Sequence, residues 1–289
     1  MENPQEEKVA KEVQKEEEEE EEEPANFFEI FDAEHQYDHT TFIFDGKEIK
    51  IESLGDFVQN THLLGQMVWP NAQILGHWMV LNKDLFKDKT VLELGAGPGL
   101  NGILASVYCK RVVMTDYHDK VVDLLQRNIQ LNSHLGTDMQ AAKLTWGEGV
   151  VEFNQQYGPF DIIIGSGCVY ESECIPLLLA TAHYLLPVND TDYNEDDLSK
   201  NEGGRLVLST NNYRYERRKE QFEGITQKLG LRQQFMDMRK LLAFAEQEKA
   251  KDPRVAVQKD EFDLIHVCTL SRPSTAVPPT IGSSAPSSS

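Results

Sequence analysis

Cysteine is scarce in this chain. Its four copies in 289 residues are Cys109, Cys168, Cys174 and Cys268; none forms a C-x-x-C pair, and three lie in apolar surroundings. That excludes a disulfide framework and a zinc ribbon, and it points to buried thiols in a reducing compartment. Long apolar runs are missing too. No stretch approaches the ~20 residues that a membrane-spanning helix needs, and the first residues carry no apolar segment of the signal-peptide kind. The expectation is a soluble protein with no membrane contact, located in the cytoplasm, with the nucleus as a second compartment. Positive charge is the third deficit: 28 Lys and Arg stand against 48 Asp and Glu, a net −20. A long polyanion needs clustered cations to neutralise its phosphates, which argues against a nucleic-acid partner. The one basic cluster, Arg214, Arg217, Arg218 and Lys219, is too small for such a footprint. No exposed apolar stripe is evident, so the expected state is a monomer.

The excess acid is not evenly spread. Residues 1–23 hold twelve Glu and three Lys, including eight consecutive glutamates, Glu16–Glu23, which leaves −11 for the rest. Such a run repels itself and has nothing to bury, so residues 1–25 read as a disordered acidic tail, a solubilising arm or a handle for basic partner proteins. The Pro- and Ser-rich stretch 273–289 reads as a second disordered tail. Between them, 26–272 forms one domain, and the acidic segment 188–204 reads as a surface insertion.

Inside that domain the apolar pattern switches period. Residues 41–51 alternate around Asp45-Gly46, the signature of a β-hairpin with a type I′ turn. Residues 64–80 suggest a helix with Pro70 in its first turn and Ile74, Leu75, Trp78 and Met79 on an apolar face. From Thr90 onward strands and helices alternate: strands at 90–94, 111–116, 139–146, 160–167 and 205–210, helices at 100–108, 120–132, 175–186 and 215–230. The chain closes with two strands, 233–238 and 262–270, read as an antiparallel pair with no helix between them. This pattern implies an α/β fold: a seven-stranded Rossmann-like sheet, parallel except for the terminal pair, with helices on both faces and a hairpin extension at the front.

The chemistry concentrates where the first strand of the sheet runs into glycine. Gly97-Pro-Gly99-Leu-Asn-Gly102 matches the G-x-G-x-x-G of dinucleotide sites. Starting four residues earlier, Glu93-Leu-Gly95-Ala-Gly97-Pro-Gly99 matches the E-x-G-x-G-x-G of S-adenosylmethionine sites. Both cofactors use the carboxyl end of the first strand and an acid after the second, here Asp116, for ribose hydroxyls. They differ in charge. A pyrophosphate wants a bare helix N-terminus, whereas S-adenosylmethionine has no phosphate and carries a sulfonium and an ammonium. Glu93 suits those cations and would repel a pyrophosphate, so S-adenosylmethionine is the expected cofactor. No metal site is expected.

With these pieces together, the chain resembles the seven-β-strand protein-lysine methyltransferases of the methyltransferase-like family, family-16 type. The resemblance runs from the hairpin to the last strand. It rests on Val68-Trp69-Pro70-Asn-Ala72, on Val91–Leu100, on Val112–Asp116 and on Leu144-Thr-Trp146-Gly147. It implies that Trp69 borders the cofactor, that Gly95, Ala96 and Gly97 pass beneath its amino-acid portion, with Gly99 completing the loop, that Asp116 takes the ribose, that Trp146 lies against adenine, and that Ser166 closes the pocket. An indole is a flat apolar plate suited to stacking on a base.

One departure bears on catalysis. The family's Asp-x-x-Tyr after the fourth strand appears here as Gly167-Cys168-Val169-Tyr170. Tyr170 remains the candidate catalytic residue, able to line the acceptor channel and face a cation with its ring. The acid that would attract a lysine ammonium is absent, leaving Glu171 or Glu173 to supply the charge. The implied activity is methylation of a protein side chain, first of all lysine on a partner of basic character. Histidine or arginine acceptors, a noncatalytic adaptor that keeps the fold, and an NAD-dependent oxidoreductase are the alternatives. The last would need a catalytic Tyr-Lys or His pair.

Overall fold

The computed structural model describes residues 37–55, 61–136, 138–187 and 204–271. The expectations for residues 1–36, for the insertion 188–204 apart from Gly204, and for the chain after Ser271 lie outside that set.

Strands β1 (Asp38–Phe44) and β2 (Lys47–Ser53) pair antiparallel as a separate two-stranded sheet. Asp45 and Gly46 both take positive φ, 49° and 70°, as a type I′ turn requires. A 3-10 turn at Thr61–Gln66 leads into helix α1 (Pro70–Leu81). The alternating core follows: β3 (Thr90–Leu94), α2 (Leu100–Ser106), β4 (Arg111–Asp116), α3 (Asp119–Leu131), β5 (Asp138–Lys143), α4 (Val150–Tyr157), β6 (Ile162–Ser166), α5 (Cys174–Leu185), β7 (Arg205–Asn211) and α6 (Asn212–Lys228). The last elements are β8 (Arg232–Phe235), α7 (Met238–Lys251), α8 (Lys259–Leu264) and β9 (Ile265–Ser271).

The large sheet runs β5-β4-β3-β6-β7-β9-β8. The first five strands are parallel, and β9 lies antiparallel between β7 and β8. Strand order reverses between β3 and β6, so the carboxyl ends of those two strands form the crevice where open α/β sheets bind ligands. Successive residues on each strand feed opposite faces. Val91, Val112, Met114, Ile162, Ile164 and Val207 pack under α1, α2 and α7. Leu92, Leu94, Val113, Ile163, Leu206 and Leu208 pack under α4, α5 and α6. Two buried faces explain why these strands read as continuous apolar runs.

Four expectations need correction. The closing strands are antiparallel neighbours, but they are not a bare hairpin: α7 and α8 intervene, and residues 262–264, expected as strand, belong to α8. Asp237 starts α7, its carboxylate accepting from Arg239 N–H at 3.0 Å, and Leu241 and Ala245 seat the helix in the core. Helix α4, between two glycines, was not anticipated. The third strand ends at Lys143, so Trp146 sits beyond the sheet. Finally, α1 is more than amphipathic. Asn71, Ala72 and Ile74–Val80 are all buried, because the helix is enclosed by α2, α7 and the strands β7 and β9. No helix among the described residues is long and apolar enough to cross a membrane.

The hairpin is tied to the domain through asparagine. Asn128 on α3 and Asn132 at its C-terminal cap, one turn apart, present their amides to the backbone of β2 as a neighbouring strand would. Asn128 accepts from Glu52 N–H (2.8 Å) and donates to Glu52 O (2.9 Å); Asn132 accepts from Lys50 N–H (2.9 Å) and donates to Lys50 O (2.6 Å). Asn128 also donates to Pro98 O at 2.9 Å, which links the hairpin to the glycine loop.

Candidate active site

The glycine loop connects β3 to α2 by left-handed backbone. Gly95, Gly97 and Gly99 have φ of 61°, 55° and 89°, a region that costs other L-residues energy. Close neighbours add a second reason for glycine. A Cβ on Gly95 would stand 3.2 Å from both Cys168 Sγ and Trp146 Cζ2, and one on Gly97 would stand 3.0 Å from Gly65 O. The loop is anchored to β4: Ala96 N–H donates to Thr115 O (2.8 Å), and Thr115 Oγ1 donates to Glu93 O (2.7 Å).

Asp116 ends β4 beside this loop. Its carboxylate accepts two long hydrogen bonds, from Gly97 N–H and His118 N–H, each at 3.3 Å. Burial holds its pKa above the usual carboxylate range. Two weak partners leave acceptor capacity for ligand hydroxyls.

Glu93 is fully enclosed. Its Oε2 accepts from Gly102 N–H at 2.8 Å, and burial pushes its carboxyl up to about 8, with Asp116 adding to the shift. This is a second role for Glu93 that its sequence position did not suggest: it braces the start of α2. The same bond tests the two cofactor classes. A pyrophosphate would need the amides at this helix start, and the one at Gly102 is already engaged by an acid. With Glu93 engaging that amide and the Asp116 carboxylate beside the loop, the site disfavours a phosphate and favours a cation. The residues present therefore fit a phosphate-free, positively charged adenosyl compound.

Trp146 closes one side. Its loop is fixed by Gly147 N–H, which donates to Thr181 Oγ1 of α5 at 2.8 Å. The half-buried indole packs on the core under α5 and touches Gly95. Trp69 stands just before α1. It is 42 % exposed, and its Nε1–H donates to Leu64 O at 3.1 Å, which ties it to the 3-10 turn lying over Gly97.

At the end of β6, Ser166 is partly buried and its carbonyl accepts from the Cys168 thiol (3.6 Å), which also donates to Leu94 O (3.2 Å). Burial raises the Cys168 pKa, so the thiol stays neutral. Tyr170 is half-buried. Burial first, then Cys174, with which its hydroxyl hydrogen-bonds, raise its pKa; Cys168 and Tyr117 contribute as well. Its hydroxyl is therefore a neutral group paired with a thiol. Gly167 has φ 68° and donates its N–H to Ser209 O at 3.0 Å.

The structure thus gathers Glu93, Gly95, Ala96, Gly97, Asp116 and Trp146 around one loop, with Ser166 reaching it through Cys168. Gly99 starts α2, packed toward Leu125, and Trp69 meets the loop by way of the 3-10 turn. Sequence reasoning missed Cys168, Asn71, Ser209 and Thr181. Each acts across more than 30 residues of sequence, and no local pattern marks them.

Residues 45–193 match the family model described as lysine methyltransferase, just over half of the chain. Protein N-lysine methyltransferase METTL21A of Danio rerio is 33 % identical over 153 residues, 52 % of this chain and 62 % of that one. EEF1A lysine methyltransferase 3 of Xenopus tropicalis is 36 % identical over 118 residues, 41 % of this chain and 51 % of that one. The chain spans about half the length of the relatives it matches. Among solved structures, the 16S rRNA N2 G1207 methyltransferase RsmC of T. thermophilus, in complex with AdoMet and guanosine, superposes with a TM-score of 0.51 at 17 % identity. That match covers 82 % of this chain and 50 % of that one, a likeness of fold.

Proposed function

The chain belongs to the lysine methyltransferase family, and on that premise we propose that it methylates a lysine side chain in a protein substrate, using S-adenosylmethionine. The observation that carries the reading is the pairing of Gly95 with Trp146 above two buried acids, Glu93 and Asp116. It is a site with an aromatic plate, a hydroxyl acceptor and no provision for phosphate.

S-adenosylmethionine would supply, when bound, a sulfonium methyl group open to attack by a neutral amine, with S-adenosylhomocysteine as the leaving group. The residues of the chain do the rest by positioning and desolvation. Asp116 accepts from ribose hydroxyls. Trp146 offers its face to adenine. The backbone of Gly95, Ala96 and Gly97 lets the amino-acid portion approach closely. Glu93, kept protonated by burial, braces the start of α2 beneath the loop through Gly102 N–H. Tyr170 borders the acceptor entry, where its ring face favours an approaching cation. A lysine arrives protonated at neutral pH and must lose its proton before it attacks. Tyr170 is held neutral by burial and by Cys174, so that proton leaves to solvent or to Glu171 or Glu173.

The net charge of −20 favours a substrate protein of basic character, and the protein acts as a monomer in the cytoplasm, with access to the nucleus. Calorimetry with S-adenosylhomocysteine and with NAD tests the cofactor: the first binds and the second does not. Labelled methyl transfer into a cell extract, followed by mass spectrometry of the product, then locates the label on lysine. Binding of NAD alone would overturn the reading. Binding of S-adenosylhomocysteine without any transfer would make the protein an adaptor.

A further inference from the structure

Asn71 is the second residue of α1 and is 8 % exposed. Its side-chain Nδ2 is buried and has no hydrogen-bond partner among the described residues. The residue itself is well held. Its carbonyl accepts from Ser209 Oγ at 2.8 Å, and Ser209 O accepts from Gly167 N–H at 3.0 Å, so α1, β7 and the end of β6 interlock at this point. A buried amide donor without a partner forfeits the hydrogen bond it makes with water in the unfolded chain. Such a group on a rigid element is explained when a ligand completes it.

Its surroundings say where that ligand lies. A Cβ added to Gly167 would meet nothing nearer than Asn71 Cγ, at 4.0 Å, so there is room beside the amide on the Gly167 side. The next residue, Cys168, stands against Gly95. The amide therefore belongs to the crevice between the ends of β3 and β6, the switch point of the sheet.

The chemistry of the donor selects the ligand group. An N–H needs an acceptor. In the amino-acid portion of S-adenosylmethionine the ammonium and the sulfonium offer none, and the carboxylate offers two oxygens. The side chains already placed around the loop are Trp69, Glu93, Asp116 and Trp146. None is a cation, and the Asp116 carboxylate among them repels a second carboxylate. A ligand carboxylate in this crevice has to be held by neutral donors. We propose that the Asn71 side-chain amide binds the α-carboxylate of S-adenosylmethionine. This assignment rests on the methyltransferase reading above, and the experiment separates the two.

Isothermal titration of the full chain with S-adenosylmethionine and with its decarboxylated form, which keeps the sulfonium and the ammonium, isolates the carboxylate. Wild type, Asn71→Ala and Asn71→Asp are compared. Asn71→Ala weakens S-adenosylmethionine roughly tenfold to a hundredfold, the scale of a hydrogen bond to a charged group, and leaves the decarboxylated ligand unchanged. Asn71→Asp preserves shape and weakens S-adenosylmethionine further, while the decarboxylated ligand is bound at least as well as by wild type. Comparing two ligands on one variant cancels any loss of folded protein. If neither exchange alters the ratio of the two affinities, or if both ligands weaken equally, the amide does not hold the carboxylate. If wild type binds neither ligand, the methyltransferase reading itself falls.

Discussion

The carboxyl group of Glu93 and the backbone N–H of Gly102 meet at 2.8 Å inside the protein, where an acid from a strand braces the first turn of the following helix. The pair lies under the glycine loop and contributes a pH dependence to the stability of the fold. Burial raises the Glu93 pKa from 4.5 to about 8, so between those values the folded state holds a proton that the unfolded state has lost. Stability then falls as pH rises through that window, by on the order of a few kcal/mol in total.

Thermal melts from pH 5 to 9 should therefore show wild type losing stability toward alkaline pH, with Glu93→Gln flattening the curve. A glutamine oxygen still accepts from Gly102 and cannot ionise. Identical slopes for the two proteins would remove Glu93 as the cause.

Gly95→Ala adds one methyl group at φ 61°, 3.2 Å from both Cys168 Sγ and Trp146 Cζ2. The left-handed backbone alone costs about 1–2 kcal/mol, and the contact forces Trp146 to move. Chemical denaturation should register the first effect. A fall in S-adenosylhomocysteine affinity larger than the stability change explains should register the second.

Trp146→Ala should weaken S-adenosylhomocysteine by roughly tenfold to a hundredfold, the range found for removing an aromatic from under a base. Trp146→Phe should recover most of that loss. Titration calorimetry distinguishes this outcome from that of a purely structural tryptophan, for which alanine would lower the melting point and spare affinity in the folded fraction.

Much of this architecture is legible in the chain before any coordinates. Asp45-Gly46 specifies a hairpin because few residue pairs accept two left-handed conformations in sequence. The run from Val91 to Gly99 locates β3 and its loop because a strand covered on both faces must be apolar throughout. Helix α7 also carries a readable signal, with Asp237 as cap and Leu241, Leu242 and Ala245 at helical spacing. An expected closing hairpin obscures it, since the strands on either side do pair. The site is legible only in part. Glycines, Asp116 and Trp146 can be placed by the loop they flank. Asn71 cannot, because its neighbours Ser209, on β7, and Gly167, just past β6, lie more than 90 residues away in sequence.

Asn101, in the first turn of α2, tests the cost of unpaired polarity. It is 1 % exposed on α2, and both its Oδ1 and its Nδ2 lack partners among the described residues. Asn101→Leu is close to volume-conserving and removes both groups, so it should stabilise the protein by about 1 kcal/mol in urea denaturation. A loss of stability would show that the amide has partners it needs.

The two amides that α3 offers to Lys50 and Glu52 have a bearing on solubility. A two-stranded ribbon leaves main-chain groups on its outer side able to recruit a strand from another molecule. Here Asn128 and Asn132 occupy those groups with side chains, which cannot propagate a ladder. The ribbon is finished within its own chain, and self-association by strand addition is blocked along that side.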